Sequence, residues 1–271
     1  MTMWRICRGI IILVALLSAT FMGSTGSPAS HAEADSTPGI VGADNRIPVG
    51  STDPPWSAIG HVNVSGYRLR RGCTGTLIAP RVVLTAAECV IDPWEREPFA
   101  PNRIVFSAGV MKDTVVGRSG AQCIKFPDAY RYVGPDRLTP DLPYYQVPLE
   151  HYASGIAIIV LIDDIPNAGI YPLAKGEVFR EGLALTHAAY PITRRYLLMA
   201  DSTCRAVRRI DDLWLTDCDT DGPSYGGPVL VGRSGEFRLA AVMVGIITKT
   251  ATVAVPLTAW SELPLGPNCP Y

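Results

Sequence analysis

The chain has 271 residues, of which 48% are hydrophobic, and its 24 basic side chains nearly balance 25 acidic ones. That is enough apolar material for one large or two small domains with cores of their own. Near-neutral charge lacks the concentrated positive field of a general polyanion binder, so no nucleic-acid partner is expected. The short basic patches (Arg68, Arg70, Arg71 and Arg205, Arg208, Arg209) read as solvated strand faces.

From the N-terminus, Arg5 and Arg8 precede the apolar run 9–22, and small residues follow, with Ala32 and Ala34 as candidate cleavage points. This is the pattern of an export signal over 1–34. The run is short against the ~20 residues of a membrane span, and an uncleaved anchor is the alternative. No other stretch is apolar for long enough to cross a bilayer, so the expectation is a secreted or periplasmic chain with no membrane partner once the signal is removed.

Beyond that, apolar runs are short, β-branched and bounded by Gly, Pro or Asp: "AIGHVNVSGY", "GTLIAPRVVLTA", "IVFSAGV", "GIAIIVLI", "LWLTDC", "PVLVG", "LAAVMVGIIT" and "ATVAVPL". Many short strands at this spacing predict an all-β barrel or sandwich, without alternating helices. The stretch 127–154, rich in Pro, Tyr and Asp, predicts a long surface loop. Six cysteines follow the signal (Cys73, Cys89, Cys123, Cys204, Cys218 and Cys269), and an even number in an oxidising compartment points to three disulfides among 15 pairings. With no C-x-x-C and no paired histidine, no metal is expected, and no motif calls for a cofactor.

Three separated motifs stand in order along roughly residues 40–260: "GADNRIPVGSTDPPWSAIGHV" with "GCTGTLIAPRVVLTAAECV", then "GIAIIVL", then "DCDTDGPSYGGPVLV". Together they resemble the chymotrypsin/trypsin-like serine proteases, in particular the bacterial glutamyl-endopeptidase branch. "AAYP" at 188–191 and "VMVGII" at 242–247 are similar to further strands of that family. The resemblance implies two six-stranded antiparallel β-barrels packed around a cleft, the first over 35–165 and the second over 166–271. It further implies the disulfides Cys73–Cys89 and Cys204–Cys218, and leaves Cys123 with Cys269.

Proteolysis in this family needs a hydroxyl nucleophile, an imidazole base, a carboxylate that holds the imidazole tautomer, and two backbone N–H groups for the oxyanion. Carried over by motif, Glu88 occupies the histidine position, Gly155 the aspartate position and Tyr225 the serine position. Pro223, which has no N–H, falls on an oxyanion donor. An ordinary glutamate titrates near ~4.3 and has no ring tautomer to align, while a tyrosine hydroxyl sits on a rigid, bulky ring with pKa about 10. Losing one oxyanion donor typically costs about 10²–10³ in rate, and losing a triad member about 10⁴ or more. Removing the aspartate together with the histidine also avoids a buried, unpaired carboxylate.

A rescued site would have to use Ser224, one place from the serine position, with His151 as base; His61 and His187 read as satisfied histidines on strands. At the specificity-pocket positions, Ile247 stands for the acid-binding histidine and Thr250 for a glycine, Thr220 keeps the family type, and Asp219 belongs to the "CDT" motif. The acidic stretch 211–221 reads as a solvated hairpin in preference to a calcium loop, and "NVS" at 63–65 would be a glycosylation sequon in a eukaryotic secreted protein. The reading is an exported, catalytically inactive homologue whose cleft binds a peptide or protein ligand or acts as a decoy. The alternative is an active serine endopeptidase with a rearranged site. Oligomeric state is left open.

Overall fold

β-branched residues favour a pleated, half-buried surface, and this chain uses them to build two sheets. The computed structural model describes residues 38–65, 70–131, 149, 152–176, 178–221, 224–233, 236–248, 251–260 and 266–269. Six strands close a barrel in the order β2-β3-β4-β7-β6-β5. They are β2 (Ile59–Ser65), β3 (Arg70–Ala79), β4 (Val82–Ala86), β5 (Ile104–Ala108), β6 (Gly117–Lys125) and β7 (Ile156–Leu161). Strand β2 alternates buried and exposed residues, as a barrel wall should. By contrast β4 and β7 are buried along their whole length. They pair from Val82↔Val160 to Ala86↔Ile156, where the barrel turns toward the second sheet.

That second sheet has eight strands in the order β1-β9-β8-β12-β13-β14-β11-β10. They are β1 (Ile47–Pro48), β8 (Thr186–Ala189), β9 (Met199–Asp201), β10 (Ala206–Ile210), β11 (Leu213–Thr216), β12 (Pro228–Val231), β13 (Arg238–Thr248) and β14 (Ala251–Pro256). Among the described residues this sheet is a curled half-barrel, and with the closed barrel it gives the all-β, two-barrel architecture expected from the sequence, its second sheet having eight strands. Its edge is extended by β1, which the segment before the first barrel contributes by pairing Ile47↔Ala200 and Pro48↔Met199.

Every apolar run singled out in the sequence contains a strand, and no α-helix occurs among the described residues. Of the expected loop 127–154, residues 127–131 and 152–154 carry no strand, and most of the rest lies outside the described residues, as does the predicted signal 1–34. One core cluster runs from the barrel into the sheet, through Leu84 and Ile158 on one side and Val242 and Val255 on the other. A smaller one lies within the sheet around Trp214, Phe179 and Met243. The disulfides are Cys73–Cys89, Cys123–Cys269 and Cys204–Cys218.

Ile158 is fully buried where β7 meets β4. Ile158→Ala is expected to lower stability by about 3 kcal/mol, through lost burial and the cavity left behind. Urea denaturation followed by circular dichroism measures this.

Candidate functional site at the junction of the two sheets

The site grows out of one turn and two loops. Strand β4 ends in a tight 3-10 turn, Ala87–Val90, which Cys89 ties to Cys73 on β3. Glu88 stands on this turn, half-buried. Because β4 pairs with β7, the turn is brought beside the residue that precedes β7. The Ala87 N–H donates to the Gly155 carbonyl at 2.9 Å. Glu88 and Gly155 are therefore neighbours, and the position facing the glutamate's turn has no side chain.

Tyr225 arrives from the other sheet. Its carbonyl accepts the Thr74 N–H at 3.0 Å, which pins the nucleophile loop to β3 next to Cys73. Gly226 follows at φ +84°, a conformation that favours glycine. A Cβ placed there would lie 2.1 Å from the Thr74 carbonyl oxygen and 2.2 Å from Thr85 Oγ1. Gly226 N–H donates to Met243 O at 2.8 Å, and Met243 N–H donates to Gly227 O at 3.0 Å, so the loop is also stitched to β13. The side chain delivered at the serine position is only 3% exposed, and it belongs to the apolar core.

Ser224 is buried as well, and its hydroxyl donates to Asp221 Oδ1 at 2.9 Å. His151 lies outside the described residues, so the Ser224–His151 pair has no geometry here. Pro223 and Thr250 lie outside them too.

His187, on β8, supports the loop from behind: a Cβ on Gly227 would come within 2.8 Å of its Cε1. Its Nδ1–H donates to the Pro228 carbonyl at 3.1 Å, which leaves Nε2 to accept from Thr220 Oγ1 at 3.3 Å. Burial pushes its pKa down to about 4, so the ring is neutral. His61 packs against Tyr190 with centroids 4.2 Å apart and bonds through Nε2 to the Arg195 carbonyl. Burial lowers its pKa also.

The pocket positions are equally engaged. Asp219 is fully buried, and its carboxylate accepts Val41 N–H at 2.8 Å and Asn45 N–H at 2.7 Å. Burial raises its pKa, with those amides opposing the shift. Thr220 is buried against His187, and Ile247 is half-buried against the core. Within the acidic stretch 211–221, Asp217 accepts the Arg205 N–H at 2.5 Å and Arg209 Nη2 lies 3.8 Å from Asp212, so each carboxylate faces a different partner.

One side chain escaped the sequence reading altogether. Tyr152, three residues before Gly155, lays its ring on Gly245 of β13: a Cβ on that glycine would be 2.4 Å from Tyr152 Cε1. Burial, and secondarily the charge of Glu88, raise the tyrosine's pKa. The ring thus lies near Glu88 and against β13, in the stretch that leads into Gly155. A run of Pro, Tyr and Asp without periodicity gave no signal for it. A cavity of about 800 Å³ lies elsewhere, lined by Ile91, Lys125, Phe126, Tyr130 and Cys269 among others, and neither Glu88, Gly155, Ser224 and Tyr225 nor Asp219, Thr220 and Ile247 border it.

No protein-family model matches the sequence, and no curated protein does. Among solved structures, the chain is similar to a Glu endopeptidase, with a TM-score of 0.64 and 20% identity over 80% of this chain and 93% of that one. It is also similar to the protease Anisep from Arthrobacter nicotinovorans, with a TM-score of 0.56 and 15% identity over 76% of this chain and 92% of that one. The fold is therefore chymotrypsin-like, and the molecule is protease-like in architecture.

Two outcomes follow from this geometry. Gly226→Ala is expected to cost at least about 2 kcal/mol in denaturant unfolding, since the backbone must move to admit a Cβ. At Gly182, which is also left-handed but has nothing within 4 Å, the same change should cost only about 1–2 kcal/mol. Secondly, the unfolded chain protonates its histidines below about pH 6.5, whereas folded His187 resists protonation down to about pH 4. Stability should therefore fall as pH drops through that window, by about 3 kcal/mol from this residue. His187→Gln should flatten that part of a stability–pH profile.

Proposed function

We propose that this chain is an exported relative of the chymotrypsin/trypsin-like serine proteases, nearest in pattern to the glutamyl-endopeptidase branch, which has lost peptide-bond hydrolysis and uses its cleft to bind a peptide or protein. The observation that carries this reading is Tyr225: the serine position holds a core side chain that is 3% exposed. Three further observations support it. The turn that carries Glu88 is bonded, through Ala87 N–H, to the carbonyl of Gly155, the glycine expected at the aspartate position. The hydroxyl of Ser224, the available substitute nucleophile, is buried and donates to Asp221. The carboxylate of Asp219 is taken up by two backbone amides, which leaves it a poor selector for a substrate cation. Export is supported by the leader-like N-terminal sequence and by three disulfides. Among the described residues, no helix is long and apolar enough to cross a membrane.

The test has two arms. A fluorophosphonate probe is expected to leave the protein unlabelled, and a broad peptide library to remain uncut. Modification at Ser224, or cleavage abolished by Ser224→Ala, would establish the active alternative instead. For binding, peptides enriched by display against the protein should lose about tenfold or more in affinity to a Glu88→Arg variant, because an added cation on the half-buried turn alters the cleft's charge. Enriched peptides that bind the variant equally well, or a selection that enriches nothing, would refute a peptide-binding cleft.

A further inference from the structure

Among the described residues, three segments far apart in sequence wall the cavity of about 800 Å³ at the end of β6. The first is the turn 91–98, closed by the bridge between Ile91 and Pro98 and by the Asp92 N–H, which donates to Glu97 O at 2.8 Å. Arg96 stands in it at φ +61°, with its N–H on Asp92 O at 2.7 Å, so the backbone fixes where that guanidinium starts. The second is the end of β6 with the turn that follows. There the Tyr130 N–H donates to Pro127 O at 2.9 Å, and the Tyr130 ring stacks on Phe126 with centroids 5.1 Å apart. Arg131 Nη1 clasps this turn through the carbonyls of Asp128 at 2.8 Å and Tyr130 at 2.7 Å. The third is the tail 266–269. Cys269 is bridged to Cys123 on β6, and Lys125, two residues further along that strand, donates from Nζ to Gly266 O at 2.5 Å.

Charge is sorted by depth in these walls. Lys125 is only 7% exposed and Arg96 is half-buried, whereas the carboxylates of Glu97 and Asp128 belong to exposed residues. The deeper charges are therefore cationic. Burial lowers the Lys125 pKa, because its ammonium has given up water for carbonyl dipoles, and an anion beside it would offset that loss. The stacked rings and Ile91 and Ile124 supply apolar surface, in a volume within the range of about 300–1,000 Å³ that small-molecule sites occupy. We propose that this cavity is a binding site for a small amphipathic acid: its aromatic or branched apolar body lies along the Phe126–Tyr130 pair, and its single anionic group points toward Arg96 and Lys125. A polyanion fits less well, since Glu97 and Asp128 repel further negative charge at the rim. A neutral ligand would take water from the buried ammonium and return no charge. The cavity is bordered by none of Glu88, Gly155, Ser224 and Tyr225, so this site stands or falls separately from the peptide-binding reading.

Two probes with the same apolar body separate charge from burial: anilinonaphthalenesulfonate, an anion, and N-phenylnaphthylamine, its neutral counterpart. Both are titrated into the full chain, with affinity read by fluorescence and the site by amide resonances. The anion is expected to bind saturably and more tightly than the neutral probe, shifting the amides of Phe126, Tyr130 and Asn268 and leaving those of Gly226 and Gly227 in place. Arg96→Gln should weaken the anion about tenfold or more and the neutral probe less than about twofold, as loss of a charge-assisted contact requires. Tyr130→Ala should weaken both probes, by about fivefold or more, through lost apolar contact. If Arg96→Gln does not fold, Arg131→Gln, a change at an exposed side chain on the same cavity, is read for the same selective loss of the anion. Absence of saturable binding, shifts confined to residues outside the cavity, or equal affinity for the two probes would each overturn the proposal.

Discussion

The contact on which the site depends is the seam between the Thr74 peptide and the Tyr225–Gly226 peptide. Thr74 gives its N–H to Tyr225 O, its carbonyl accepts Thr85 Oγ1 at 2.7 Å, and its own Oγ1 accepts the Tyr190 N–H at 3.1 Å. One residue on β3 therefore joins the barrel wall, the nucleophile loop and the second sheet. Gly226 lets the two backbones meet at a separation that no side chain permits. The Cys73–Cys89 bridge holds β3 and the Glu88 turn together on the barrel side of the seam. Everything in the site is positioned from here, and none of these contacts is made by a catalytic side chain.

That division explains how the side chains at 88, 155 and 225 can vary without unravelling the fold. The backbone carries the geometry, through Ala87 N–H to Gly155 O on one side and Gly226 N–H to Met243 O on the other. A glycine at 155 costs nothing to those bonds. A Cβ there would lie 3.0 Å from the Tyr152 carbonyl oxygen, and the Tyr152 ring packs on Gly245 nearby. An aromatic ring in such a place supplies dispersion contacts without the desolvation penalty of a carboxylate that has lost its imidazole partner. Similarly, Asp219 and Asp221 escape the cost of burial because the N-terminal segment feeds them amides and a guanidinium.

Much of this was legible in the sequence, for identifiable physical reasons. Strands such as β4, β7 and β13 announce themselves as continuous apolar runs because they are buried along most of their length. The turn around Cys89 and the glycine pair 226–227 are local motifs with steric causes, so their places could be inferred. Strands β6, "GRSGAQCIK", and β10, "AVRRI", were not legible, because strands whose burial is broken by exposed residues carry no long apolar run. Nor was the eight-stranded extent of the second sheet, which depends on a two-residue strand, Ile47–Pro48, pairing with Met199 and Ala200, far along the chain. The contacts of Arg46 and Tyr152 are long-range and made by residue types common in loops. Nothing in their neighbours' spacing marks them.

The loop "DGPSYGGPV" therefore has to be read as two overlaid signals. Gly226, Gly227 and the carbonyl of Tyr225 report on the seam, since each is required by a backbone approach or a bond across it. The residue types at 223, 224 and 225 are not fixed by those contacts, and any inference about chemistry from the sequence rests on them. In an active protease both signals agree and cannot be told apart. Here the two can be told apart: the seam's requirements are met in full, with Pro223, Ser224 and Tyr225 as the residues that precede the glycine pair. A match to the glycines of such a loop is thus a statement about how two sheets are joined, and a claim of catalysis must rest on the residues between them.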